Sequence, residues 1–178
     1  MSYWTDDKTF SQQTYPAVDS IYYDLWGQDI YIHREDSSLT ETTDRDCIDG
    51  IDTTVSMLTT DEICRESMQT LTIQEKIRRP ETRKYHDLTL EYYQDRYTKL
   101  PGELWHCKAS LYLYGYFDPS KPLSLSDWLI LPYKALRAFV LSLFDVESRL
   151  LPTRHSRAAF LPIPLSDIPS KLVIASNF

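Results

Sequence analysis

Apolar and polar positions recur with two different periods along this 178-residue chain, and the changes of period mark its elements. From about Ser11 to Trp26, Val18, Ile21, Tyr22 and Leu25 return at three- and four-residue spacing, which predicts a helix that Gly27 is placed to end. Ile30-Tyr31-Ile32 reads as a short strand, and Glu35 to Asp46, rich in Ser, Thr, Asp and Glu, as a polar turn. Ile51 to Leu58 carries Thr53, Thr54 and Val55 and predicts a strand entered through an Asp49-Gly50 turn. Thr59 to Glu66 reads as a loop or short helical turn. Thr70 to Arg78 then alternates strictly: Leu71, Ile73, Glu75 and Ile77 point one way, and Thr72, Gln74, Lys76 and Arg78 the other.

Beyond a loop at Pro80 to Lys84, His86 to Tyr93 predicts a further strand, with Leu88, Leu90 and Tyr92 on one side. Pro101-Gly102 turns the chain. In Glu103 to Phe117, Leu111, Leu113 and Gly115 alternate with Tyr112, Tyr114 and Tyr116, which favours a strand. Ser126-Asp127 has the chemistry of a helix cap, Pro132 lies near a helix start, and Tyr133 to Phe144 has helical spacing. Arg157 to Ile163 gives one more strand, and Ser166-Asp167-Ile168-Pro169 opens a short terminal helix or turn. The order predicts one α/β domain over 1–178, a central mixed β-sheet flanked by helices, with a polar arm at 1–10 and a C-terminal extension at 164–178.

Composition narrows this little. Apolar residues make up 42% and charged residues 25%, enough for a packed core. The most apolar stretch, Trp128 to Phe144, is broken by Pro132, Lys134 and Arg137, so it reads as core and no membrane partner is expected. Three cysteines stand far apart with no Cys-x-x-Cys pair, and the amino terminus has neither a basic start nor an apolar run; both point to a cytoplasmic protein. Thirteen tyrosines fit elements with amphipathic aromatic faces. Charge changes the picture more. The total is −7, but residues 1–75 carry −12 and residues 76–178 carry +5. Binding follows local potential, so a basic half keeps a polyanion partner in view and an acidic half keeps a metal in view.

The chemistry that would join these halves is phosphodiester hydrolysis. It calls for a hard cation held by carboxylate or amide oxygens, and for a positive group that holds the attacking water and offsets charge as the bond breaks. A β-hairpin can supply both. One aspartate stands on the first strand, and an acidic or amide residue lies two positions before a lysine on the second, where a spacing of two keeps both side chains on one face. Asp52, Gln74 and Lys76 fit that arrangement, with Glu75 expected to face away and Asp46 and Asp49 as competing ligands. No glycine-rich phosphate loop, dinucleotide fingerprint or Gly-x-Ser-x-Gly elbow is present, so no nucleotide cofactor is expected. His33, His86, His106 and His155 lack metal-ligand spacing.

Gly50-Ile51-Asp52, a spacer of about twenty residues, then Ile73-Gln74-Glu75-Lys76 resembles the core of the PD-(D/E)XK nuclease superfamily, in the Gln-x-Lys form of the Mrr-type restriction endonucleases. The detailed match covers roughly thirty residues, with a looser match in element order over about 11–165. The resemblance implies a restriction-endonuclease-like αβββαβ core and a Mg²⁺-dependent endonuclease acting on DNA, with Mn²⁺ able to substitute. Asp52 and Gln74 would be metal ligands and Lys76 would position the hydrolytic water. An acid from the first helix, Asp19 or Asp24, would join them, and Arg78, Arg79, Arg83 and Lys84 would contact phosphates. A homo-oligomer, a dimer, is expected, because cutting both strands takes two sites. The alternative is a non-catalytic module on a similar scaffold that binds nucleic acid or protein. A third reading is a DNA mimic using the acidic half.

Overall fold

The computed structural model describes residues 3–34, 50–60, 66–153 and 156–177, with side chains from Thr9 onward. The polar turn at Glu35 to Asp46, the competing ligands Asp46 and Asp49, and His155 lie outside the described residues. A long helix, α1 (Tyr3–Trp26), opens the chain; the segment expected as a polar arm is helical from Tyr3. The helix presents Ala17, Val18, Ile21 and Tyr22 as a buried stripe, and the Gly27 N–H donates to the Tyr23 carbonyl at 3.0 Å as it ends. Pro16 sits mid-helix with its ring exposed; having no N–H, it leaves one helical bond unmade.

Next come β1 (Ile30–Arg34), β2 (Thr53–Thr60) and β3 (Glu66–Arg78), an antiparallel meander. β3 changes partner half-way. Its residues 66–73 pair with β2, and residues 73–78 pair in parallel with β6 (Leu111–Phe117). β7 (Leu125–Pro132) follows β6 antiparallel, and β10 (Ala175–Ser176) closes the edge. The result is a six-stranded mixed sheet ordered β1-β2-β3-β6-β7-β10.

Three differences from the sequence reading matter for the site. First, 125–132 is a strand, not a helix entry: Leu129 and Leu131 fill one core and Ile130 the other, a period of two, and a bulge opposite Tyr116 and Phe117 turns Leu125 to the side of Ile130. Helix α3 (Tyr133–Ser142) begins only after it; α2 (Glu103–His106) is a single turn before β6. Second, a four-stranded antiparallel sheet is present, ordered β5-β4-β9-β8, from β4 (Asp87–Asp95), β5 (Leu100–Pro101), β8 (Leu151–Pro152) and β9 (Ala159–Pro164). The strand expected at Arg157 to Ile163 is β9, and it pairs with β4. Third, β10 brings the C-terminal extension into the main sheet.

The main sheet thus lies between two apolar layers. On one face, α1 packs on Val55, Ile73, Leu111, Leu113 and Ile130. On the other, Leu88, Leu90, Leu161 and Ile163 of the second sheet join Tyr112, Tyr114, Tyr116, Leu129 and Leu131, with Leu136 and Val140 of α3. Each of those four aliphatic side chains contributes about 2 kcal/mol by leaving water, which holds the second sheet in place. Every residue of β6 is buried, because both of its faces are covered.

Candidate functional site

The parting of β2 from β3 positions the first residue. The regular ladder ends at Thr53 opposite Ile73, and the Asp52 N–H still donates to the Ile73 carbonyl at 3.0 Å. Beyond that point the Asp52 carboxylate replaces the missing backbone acceptor, with Oδ2 accepting from the Glu75 N–H at 2.6 Å. The chain just before it is clipped to the end of α2: the Cys107 thiol donates to the Gly50 carbonyl at 3.1 Å. Gly50 has φ +59°, and a Cβ there would lie 3.0 Å from Cys107 Cβ, so only glycine fits. Burial above all, and then the negative charges of Glu103 and Asp52, push the Cys107 thiol up to about 11.

Gln74 and Lys76 project from β3 toward the second sheet, opposite Tyr112 and Tyr114 in register. Gln74 is 6% exposed, and its Oε1 has no hydrogen-bond partner among the described residues. A buried amide oxygen in that condition costs on the order of 1–3 kcal/mol. Lys76 Nζ lies 3.7 Å from Glu103 Oε2 and 5.6 Å from the centre of the Phe160 ring. Behind Glu103 stands Glu91 of β4, whose carboxyl is held above its ordinary range by burial and then by the charge of Glu103, with Lys76 pulling the other way.

Glu75 points to the opposite face, as its alternation predicts, and is far from idle there. It accepts from the Tyr22 hydroxyl at 2.8 Å and from Arg34 Nη1 at 2.8 and 2.6 Å, while Arg34 Nη2 donates to Asp19. Arg34 also donates to Thr53 Oγ1 at 2.9 Å and lies 4.1 Å from the centre of the Tyr15 ring. Asp19 is therefore engaged on the α1 face, across the sheet from Gln74 and Lys76. Asp24 is exposed near the end of α1.

The basic residues after the strand are dispersed. Arg78 donates to Thr89 and, at 3.5 Å, to the Tyr114 hydroxyl. Arg83 makes a two-point bond to Asp127 at 2.6 and 3.2 Å. Arg79 lies over Phe10 and Lys84 over Tyr85, and both are exposed. The structure thus brings Asp52, Gln74 and Lys76 to one region of β2 and β3 and places Asp19 on the other face.

Sequence reasoning missed Glu103, Glu91 and Cys107. A four-residue helix has no detectable period, so nothing local announced Glu103. Among the described residues, no three His, Cys, Asp or Glu side chains are grouped to hold a metal ion, so a cation here would rely on the amide of Gln74. Nor is any helix among the described residues long and apolar enough to cross a membrane.

The architecture is that of an α/β protein with a large mixed sheet and its candidate site where two strands of that sheet part. No protein-family profile, curated protein or solved structure matches the chain.

Proposed function

We propose that this protein is a metal-dependent endonuclease that hydrolyses DNA phosphodiester bonds. The observation that carries the reading is the buried, unpartnered Oε1 of Gln74, two residues before Lys76 on the same face and beside the strand end that presents Asp52. A carboxylate and an amide oxygen suit a hard divalent cation. The run α1-β1-β2-β3-α2-β6, with β6 parallel beside β3, supports a restriction-endonuclease-like αβββαβ core in which β4 and β5 are an insertion.

Asp52 and Gln74 would hold Mg²⁺ or Mn²⁺, which supplies a polarised phosphoryl oxygen and a more acidic water. Lys76 orients the attacking water through its ammonium and offsets charge gathering on the phosphate. Tyr114 and Phe160 beside it limit how far the lysine can swing. Arg79 and Lys84, exposed past the end of β3, provide backbone phosphate contacts that carry no sequence preference. Two copies acting together would cut both strands.

The test is incubation of supercoiled plasmid and branched DNA with Mg²⁺ or Mn²⁺, alongside EDTA and Lys76→Ala. Metal-dependent nicking is expected, reduced about 10²- to 10⁴-fold in Lys76→Ala. A folded protein that cuts none of these substrates but still retards DNA in a gel would overturn the reading in favour of a binding module.

A further inference from the structure

The resemblance looks to the first helix for an additional acid, yet the Asp19 carboxylate is bound to Arg34 on the α1 face. A different carboxylate stands on the Gln74 and Lys76 side. Glu103 is the first residue of α2, its Oε2 lies 3.7 Å from Lys76 Nζ, and about a quarter of its side chain is exposed. Two close contacts fix its position. Gly102, just before it, fits so tightly on β4 that an added Cβ would lie 2.7 Å from the Glu91 carbonyl oxygen. At the far end of the same turn, Cys107 is clipped to Gly50, two residues before Asp52. One short element therefore sets Glu103 and the chain at Gly50 relative to each other, and β3 touches both sides, Asp52 at the Glu75 N–H and Glu103 at Lys76.

We propose that Glu103, not an acid of the first helix, supplies the second carboxylate of a divalent-cation site with Asp52 and the buried Gln74 amide. The proposal rests on the nuclease reading. Gln74 is the independent observation that points to a ligand: its Oε1 is buried, makes no hydrogen bond among the described residues, and lies on the face that Glu103 overlooks. Two carboxylates and an amide oxygen are the donors an oxygen-preferring cation takes, and a lone Asp52 beside an amide would hold it weakly. Glu103 in this role also anchors Lys76, keeping its ammonium beside the cation's position.

The experiment is calorimetric titration of Mn²⁺ into the full chain and into Glu103→Gln, Glu103→Asp and Asp19→Asn, with circular dichroism to check folding. Wild type is expected to bind. Glu103→Gln should weaken binding about 10- to 100-fold, Glu103→Asp should recover part of that loss, and Asp19→Asn should bind as wild type does. If Glu103→Gln binds Mn²⁺ as tightly as wild type, the inference fails and the nuclease reading stands. A loss confined to Asp19→Asn also overturns it and returns the role to the first helix. Wild type that binds no Mn²⁺ at millimolar concentration defeats the nuclease reading itself and this inference with it.

Discussion

At the scale of single residues, Gln74 separates stability from function most cleanly. Its side chain is almost fully enclosed, yet Oε1 makes no hydrogen bond among the described residues. The native state therefore carries a desolvation cost that an apolar side chain of similar length would not. Gln74→Met is expected to raise the unfolding free energy by about 1 kcal/mol, read as a higher urea midpoint, and, on the proposed nuclease reading, to abolish cleavage. An activity site held at the expense of stability predicts that combination, and a structural glutamine does not. A Gln74→Met protein less stable than wild type would mean that the amide makes an essential bond within the fold.

At the scale of elements, the Arg34 cluster ties β1, α1 and β3 together. Burial by itself would lower the Arg34 pKa, but Glu75 and then Asp19 more than offset this and hold the guanidinium above its ordinary value. Glu75 is 7% exposed at its side chain and Arg34 15%, so the pair meets where little water is present to solvate it. Glu75→Leu should cost about 3 kcal/mol because it removes the more buried of the two carboxylates that Arg34 pairs with, whereas Arg34→Met with Glu75→Leu should recover most of that loss. Denaturant titration of the two variants checks this, and a double variant as unstable as the single one would refute it. The same strand shows what sequence can reveal. Alternation within 70–78 placed Glu75 on one face and Gln74 and Lys76 on the other, because a period of two is a local property. The α1 stripe and β6 were legible for the same reason. The pairing of β4 with β9 was not: both strands carry ordinary apolar alternation, and nothing in either says that its partner lies some seventy residues away. At 125–132, Ser126, Asp127 and Pro132 mimic helix-entry chemistry, and pairing with β6 overrides it. The site divides likewise. Spacing alone singled out Asp52, just before β2, with Gln74 and Lys76 on β3, whereas Glu103 comes beside Lys76 only through the path of the chain.

At the scale of the whole molecule, the two layers on the main sheet enclose phenols in unusual number, and this gives the fold a defined alkaline limit. Tyr22 is held well above its ordinary value by burial and then by Glu75, and Tyr112 by burial and then by Glu103. Burial likewise raises Tyr116 and Tyr133, and it takes the Cys107 thiol from an ordinary value near 9 to about 11. Each of these groups keeps its proton in the native state at a pH where the unfolded chain releases it. Between those values the native state binds more protons, so the unfolding free energy falls as pH rises. The stabilisation is complete below about pH 9, begins to fade as unfolded Cys107 ionises, and declines faster above pH 10 as the four tyrosines join. Each participating group adds about 1.4 kcal/mol per pH unit to the slope. Urea midpoints should accordingly be flat from pH 7 to 8.5 and drop steeply from 10 to 11, with Tyr112→Phe giving a shallower drop. Absorbance at 295 nm supplies the independent check. Tyr22, Tyr112, Tyr116 and Tyr133 should ionise only in step with loss of the circular dichroism signal. A single smooth titration of all thirteen tyrosines with the fold intact would mean that the aromatic layer beneath the second sheet is open to solvent. The enclosure of Gln74 on the same face would then go with it.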